Sequence, residues 1–347
     1  MSIDFLKRLL NAPGPSSHEV APARVWREEA ATFADEVVTD VRSNSFAVLK
    51  GGKPRVLLAG HIDEIGVIVS YIDDDGFVSF AGVGGWDAQV LVGQRIRLLG
   101  KQGDVIGVIG KKPIHLMKKD EGASTIEDLW IDIGVTSRTA ALELIRIGTV
   151  GVIDASMYEL PNGRIVSRSV DNRIGAYTVL EALRLLAKDR PTATVAAVAT
   201  AQEEITFAGA HTAAFSFEPD AAIVVDVTHA SDYPTANKKQ AGEARLGAGP
   251  SIAAGSVNSL VVHQMLLDIA DRDSIPYTVK VNAARSGTDG DVIQFARGGV
   301  ALGVVSIPNR YMHSPNEMIQ MSDVEHAAQL IATFVRSLTA ETDFIPR

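Results

Sequence analysis

The chain of 347 residues contains no cysteine. That excludes disulfides and thiolate metal sites, and leaves the redox compartment open. No apolar run approaches the roughly 20 residues that a membrane-spanning helix needs. The first ten residues are amphipathic, without a long apolar stretch and cleavage site, and read as a helix rather than a signal peptide, so the expected location is cytoplasmic. Phosphate-loop (GxxxxGK followed by Ser or Thr), dinucleotide (GxGxxG after a strand) and nucleophile-elbow (GxSxG) patterns are missing. Gly82-Val83-Gly84-Gly85 lies among short strand-like runs and reads as a turn. There is no internal repeat and no low-complexity segment. Basic residues are outnumbered, 33 Lys and Arg against 42 Asp and Glu, for a net charge of -9. A diffuse acidic excess argues against nucleic acid or an anionic membrane as partner.

What is present is a globular composition, 46% hydrophobic and 22% charged, at a length that suggests two domains. Residues 2–34 read as two helices broken at Asn11-Ala12-Pro13-Gly14-Pro15, with Ser16 or Ser17 as N-cap of the second. A strand is expected within residues 37–49 and a buried one at 56–60. Many short strands with little helix follow, and residues 67–163 read as an inserted all-β domain. Helix and strand then alternate to a last helix at 322–338, for which Ser322 and Glu325 suggest a capping box. The expected fold is α/β: a doubly wound mixed sheet covered by helices, residues 1–66 and 164–347, interrupted by the smaller β-rich domain.

The chemistry is expected at strand ends. Residues 194–199 form an apolar run closed by Gln202-Glu203-Glu204. Neighbouring strand residues point to opposite faces, so both acids share a site only if the strand has already ended. Ligands of open α/β sheets gather at the carboxyl ends of strands. His61 with Asp63, Asp171, Asp226 and His313 occupy comparable places. Histidine and carboxylate without thiolate suit a hydrolytic zinc, cobalt or manganese site, and the set is large enough for two ions. Asp63 is placed to accept from the His61 imidazole. Taken singly, each has a plainer role: a core histidine for His61, a helix cap for Asp171, a cap or turn for Asp226, a loop histidine for His313, a solvated acidic turn for Glu203 and Glu204. His211, His229, His263 and His326 read as ordinary.

Seven segments carry a resemblance. They are Pro13-Gly14-Pro15-Ser16, Gly60-His61-Ile62-Asp63-Glu64-Ile65-Gly66, Val170-Asp171-Asn172-Arg173, Gln202-Glu203-Glu204, Val225-Asp226-Val227, Ser286-Gly287-Thr288-Asp289 and His313-Ser314-Pro315-Asn316-Glu317. In this order, over nearly the full length, the chain resembles the tetrahedral, deblocking or glutamyl, aminopeptidases, which are dinuclear metallopeptidases. The resemblance implies a catalytic α/β domain interrupted by a β domain, and two divalent ions per subunit, zinc or cobalt. Asp171 would bridge both ions, His61 and Asp226 would complete one site, and Glu204 and His313 the other. Glu203 would be the general base and Asp63 would orient His61. It also implies peptide substrates with a free N-terminus and a homo-oligomer, twelve-subunit tetrahedra being common in the family. Lys112-Pro113-Ile114-His115 matches the family's pattern without giving His115 a role. Arg285 has two readings, a contact favouring acidic first residues or a surface arginine.

The rivals are a metal-dependent deacylase or carboxypeptidase on the same fold, a glycoside hydrolase (some relatives carry an endoglucanase label) and a non-catalytic metal scaffold. A glycosidase needs two carboxylates flanking one bond, which adjacent residues provide poorly.

Overall fold

Along the strand Gly52–His61, Val56 and Leu58 are buried in one core and Leu57 and Ala59 in another. The strand Ala193–Thr200 divides the same way, Val195 and Ala197 against Ala196 and Val198, as does Ala221–His229, with Ile223 and Val225 against Ala222 and Val224. Side chains alternate across a strand, so a continuous apolar run supplies two cores only when both faces of its sheet are covered. The computed structural model, which describes residues 2–117, 122–255 and 257–347, has that arrangement. The helices Ile3–Asn11, Val20–Ala30, Val170–Lys188, Leu260–Arg272 and Met321–Ser337 close the larger core; Ala208–Phe217 and Gly290–Ile293 close the other.

The sheet has eight strands in the order Glu36–Thr39, Ser45–Leu49, Ala193–Thr200, Gly52–His61, Ala221–His229, Ala301–Asn309, Ser251–Ala254 and Thr278–Val281. The four consecutive strands from Ala193–Thr200 to Ala301–Asn309 are parallel, and antiparallel pairs flank them, so the sheet is mixed as expected. Register sets the rim. Thr200 pairs with His61, and Val224 pairs with Ala59, which brings Asp226 level with His61.

A closed six-stranded barrel is built from Gly66–Ile72, Val78–Val83, Leu129–Asp132, Gly103–Lys111, Arg95–Gly100 and Val150–Ile153. Its strands end at Ile153. Tyr158–Leu160, inside the 67–163 span expected for the insert, pairs with Arg164–Ser167 and through it with Glu317–Gln320 in a separate three-stranded sheet. Among the described residues no helix is long and apolar enough to cross a membrane.

Three local expectations are corrected. Residues 37–49 are a hairpin, not one strand: Asp40 accepts the N–H groups of Arg42 and Asn44 and folds the polar stretch into a turn. The second helix starts after Glu19, and neither Ser16 nor Ser17 caps it. The Ser16 hydroxyl bonds to Asp63, and the Ser17 N–H donates to Glu19. The last helix starts at Met321 without a side-chain cap, and the buried acid of its first turn, Asp323, accepts the N–H groups of Gly247 and Gly249.

Candidate active site

Two glycines bring the first pieces together. A Cβ on Gly60 would lie 2.4 Å from the Gly175 carbonyl carbon, and one on Gly175 would lie 2.5 Å from the Val225 carbonyl oxygen. Without side chains there, the helix Val170–Lys188 presses onto the strand ends, and Asp171 in its first turn reaches His61. The Asp171 Oδ1 stands 3.2 Å from His61 Nε2, and its Oδ2 stands 3.4 Å from His313 Nε2. Asp226 Oδ1 lies 3.9 Å from His61 Nε2, and Glu204 Oε2 lies 3.4 Å from His313 Nε2.

The acid pair shares the site because its strand stops at Thr200. Gln202 then takes a left-handed backbone (φ 61), and a one-turn helix, Glu203–Thr206, begins. Left-handed non-glycine residues persist where the surroundings hold them, and they concentrate at functional sites. The holder is Asp63, fully buried, which accepts the N–H groups of Glu203 (3.1 Å) and Glu204 (3.2 Å) on its two oxygens. The same carboxylate takes the Ser16 hydroxyl and stands 3.3 Å from His61 Nδ1. Glu203 Oε2 is 3.6 Å from His61 Nε2.

Electrostatically the rim is crowded with anions. Burial disfavours a charged His61, yet Glu203, Asp171 and Asp63 outweigh it and hold its pKa well above the ordinary value. His313 is pushed up to about 11 by Asp171 and Glu204. Burial raises Glu203 and Asp226 well above the usual carboxylate range; His61 opposes this, while neighbouring acids add to it. Glu204 is raised by burial and by Asp171. Asp171, although buried, is held low by the two imidazoles. Imidazoles that hold protons tightly beside carboxylates that also hold them describe a place short of positive charge.

The donors fit divalent ions. His61, Asp171 and Asp226 offer ligand atoms within 4.8 Å of one another, and so do Asp171, Glu204 and His313. Ligands each about 2.0–2.1 Å from one tetrahedral ion stand roughly 3.3–3.4 Å apart, close to the shortest contacts here. Glu204 Oε1 is buried without a hydrogen-bond partner, a free acceptor of the kind a cation would use. A third group, His61 with Glu203 and Glu204, meets the same distance condition. The two groups that share Asp171 use every other candidate and leave Glu203 over.

A cleft of about 230 Å³ opens here, lined by these residues with Phe207, Val227, Gly287 and Met312. Arg285 is exposed, and its segment contributes Gly287 to the lining instead. The barrel's glycine turn packs against two of the lining residues. A Cβ on Gly85 would come within 3.3 Å of His313 Nδ1, and one on Gly84 within 3.5 Å of Glu204 Cβ, so the glycine turn read in the sequence lies against the site.

Some neighbours have roles that composition and spacing did not announce. Asp289, a buried acid, accepts the Thr200 hydroxyl and is raised to about 7 by burial. Glu64 is forked by Arg168 and Arg173 and accepts the Gly14 N–H. Arg173, fully buried and lowered to about 10 by that burial, also donates to the carbonyls of Ile62, Leu9 and Gly14. These residues all fall in segments quoted for the resemblance or beside them, which was the one available signal.

The M42 glutamyl aminopeptidase family matches residues 43–330. The lysyl aminopeptidase of Pyrococcus furiosus is 34% identical over 348 residues, covering 99% of this chain and 99% of its own. Among solved structures, a TET aminopeptidase from a marine sediment archaeon of the Thaumarchaeota superposes with a TM-score of 0.94 at 32% identity, over 98% of this chain and 97% of that one. The TET1 peptidase of Pyrococcus horikoshii, which can assemble into a tetrahedron or a large octahedral shell, gives 0.86 at 28% identity over 97% and 99%. With its fold, its rim and these relatives in agreement, the chain belongs to the M42 family of aminopeptidases.

Proposed function

We propose that the protein releases single N-terminal residues from peptides with a free amine, using two divalent ions, zinc or cobalt, and Glu203 as general base. The observation that carries this reading is Asp171, whose two oxygens face different imidazoles, one beside Asp226 and the other beside Glu204. His61, Asp171 and Asp226 would hold one ion, and Asp171, Glu204 and His313 the other. When bound, such ions polarise a carbonyl and make water more acidic.

The chain's own groups supply the rest. Asp63 stands 3.3 Å from His61 Nδ1 and holds both acids of the 203–204 turn by accepting their backbone N–H groups. Glu203 belongs to neither group that shares Asp171. Its Oε2, 3.6 Å from His61 Nε2 at the edge of both groups, suits a carboxylate that accepts a proton from the attacking water and passes it to the leaving amine nitrogen. The cleft, about 230 Å³, is smaller than the roughly 300–1,000 Å³ of typical ligand pockets, and the Gly84–Gly85 turn backs two of its lining residues, Glu204 and His313. That supports entry of a chain end rather than a chain middle.

Homo-oligomeric assembly is proposed from the behaviour of the TET1 neighbour and from exposed apolar residues on the insert, including Ile106, Val108, Ile114 and Leu116.

The test is Glu203→Gln. Removing a positioned acid–base group lowers kcat by about 10²–10⁴-fold. We expect that loss on aminoacyl anilides with the metal content unchanged; near-normal turnover with both ions present would remove Glu203 from its role.

A further inference from the structure

The carboxylate of Glu317 contributes to neither metal group, yet it joins two of the segments that do. It opens the strand Glu317–Gln320 and is buried. Its Oε1 accepts the N–H of His313 at 2.8 Å, and its Oε2 accepts the N–H of Asp171 at 3.0 Å. Those are the residues whose side chains face each other across the second group, His313 Nε2 to Asp171 Oδ2. Both oxygens therefore act on backbone, not on the ligating atoms.

The backbone at His313 needs such a hold. Its φ is 58, and Tyr311 two residues earlier has φ 64. A left-handed conformation is strained for a non-glycine residue, and it lasts where surrounding contacts over-determine it. Paired backbone hydrogen bonds between Arg310 and Met318 close the base of the loop, while at its tip the His313 side chain is 35% exposed, in contrast to His61 at 1%. The strand carrying Glu317 pairs with Arg164–Ser167, and Ser167 sits opposite Glu317 just before the helix that begins at Val170. One anchored carboxylate thus sets the His313 loop against the Asp171 turn.

We propose that Glu317 is a positioning residue, a buried carboxylate that clamps the Asp171 and His313 backbones so that Asp171, Glu204 and His313 close on one ion. This rests on the two-ion reading. Glutamine at 317 keeps the shape but replaces one acceptor with an NH2 donor, so one of the two N–H groups meets a donor instead of an oxygen.

The experiment is zinc titration of the full-length protein against a chromophoric chelator, wild type beside Glu317→Gln, with the metal-free melting temperature of each. Wild type is expected to bind two ions. The variant should lose about 10–100-fold in one affinity, the range for partners that orient metal ligands, and less in the other, whose group shares Asp171 but not His313. Its melting temperature should stay close to wild type. Raising zinc by the same factor should restore turnover, because Glu317 does not touch substrate. Two unchanged affinities overturn the inference. So do two affinities weakened alike with a lowered melting temperature, which would make Glu317 a general structural residue. If Glu317→Gln does not fold, Glu317→Asp, which keeps the charge and shortens the reach, is judged by the same outcomes. Wild type binding fewer than two ions removes the two-ion reading and this inference with it, whereas normal wild-type stoichiometry with an unaffected variant removes the inference alone.

Discussion

The barrel and the sheet rim are stabilised in opposite ways. Between Gly66 and Ile153, among the described residues, Thr149 is the one polar side chain that is buried; the interior is Val67, Val69, Ile72, Leu98, Ile131 and other apolar groups. The rim buries His61, Asp63, Glu64, Asp171, Arg173, Glu203, Asp226, Asp289 and Glu317 within a few segments. Apolar burial is non-directional and scales with area removed from water. Buried charge is tolerable only where partners stand at the right distance and angle. The barrel should therefore lose stability in proportion to volume removed and leave the chemistry alone. The rim should respond sharply to single atoms.

Arg173→Met probes the sharper side. It removes a buried partner of Glu64 and the donor for several carbonyls of the N-terminal segment. Breaking a buried ion pair costs about 3–5 kcal/mol; Glu64 keeps Arg168, so a loss at the lower end of that range is expected, read as a lowered denaturant midpoint. A midpoint near wild type would mean that the rim's charges are not held as the contrast requires.

Leu98→Ala probes the other side. Leu98 is fully buried in the barrel core, and truncating such a residue costs about 2–5 kcal/mol. Stability should fall with kcat/KM unchanged on the same anilides. A matching fall in kcat/KM would show that the barrel's packing and the site are not separable.

The smallest effect belongs to neither region. Asp35 receives both terminal nitrogens of Arg190, and these bonds hold its pKa down to about 2. A carboxyl with a depressed folded-state pKa adds stability above its unfolded pKa and loses it as pH falls through the folded one. Asp35→Asn should narrow the stability difference from wild type as pH falls from about 4 to about 2. At neutral pH the loss should stay below about 1 kcal/mol, as for exposed pairs. Acid-denaturation curves that superpose at neutral pH would remove this contribution.

The sheet was readable because its strands are continuous apolar runs, and the rim because acids and histidines end those runs. If Glu203 and Glu204 share a site, side-chain alternation requires the strand to close before them, and the left-handed turn at Gln202 provides that break. Other features were hidden for definite reasons. Ser16 looked like a helix cap because local pattern favours that role, but Asp63, distant in sequence, takes its hydroxyl. The 36–49 hairpin read as one strand because its turn depends on Asp40, not on a glycine or proline signal. Tyr158–Leu160 read as part of the insert because strands carry no mark of which sheet they join. Glu317 acts through backbone N–H groups far apart in the chain, and no spacing rule encodes that.

Gly60 and Gly175 offer the site no charge, no donor side chain and no apolar surface. Their bareness nevertheless sets the gap between one imidazole and the carboxylate that both groups share. The dimension on which the proposed chemistry turns is written at positions whose only property is to take up no room.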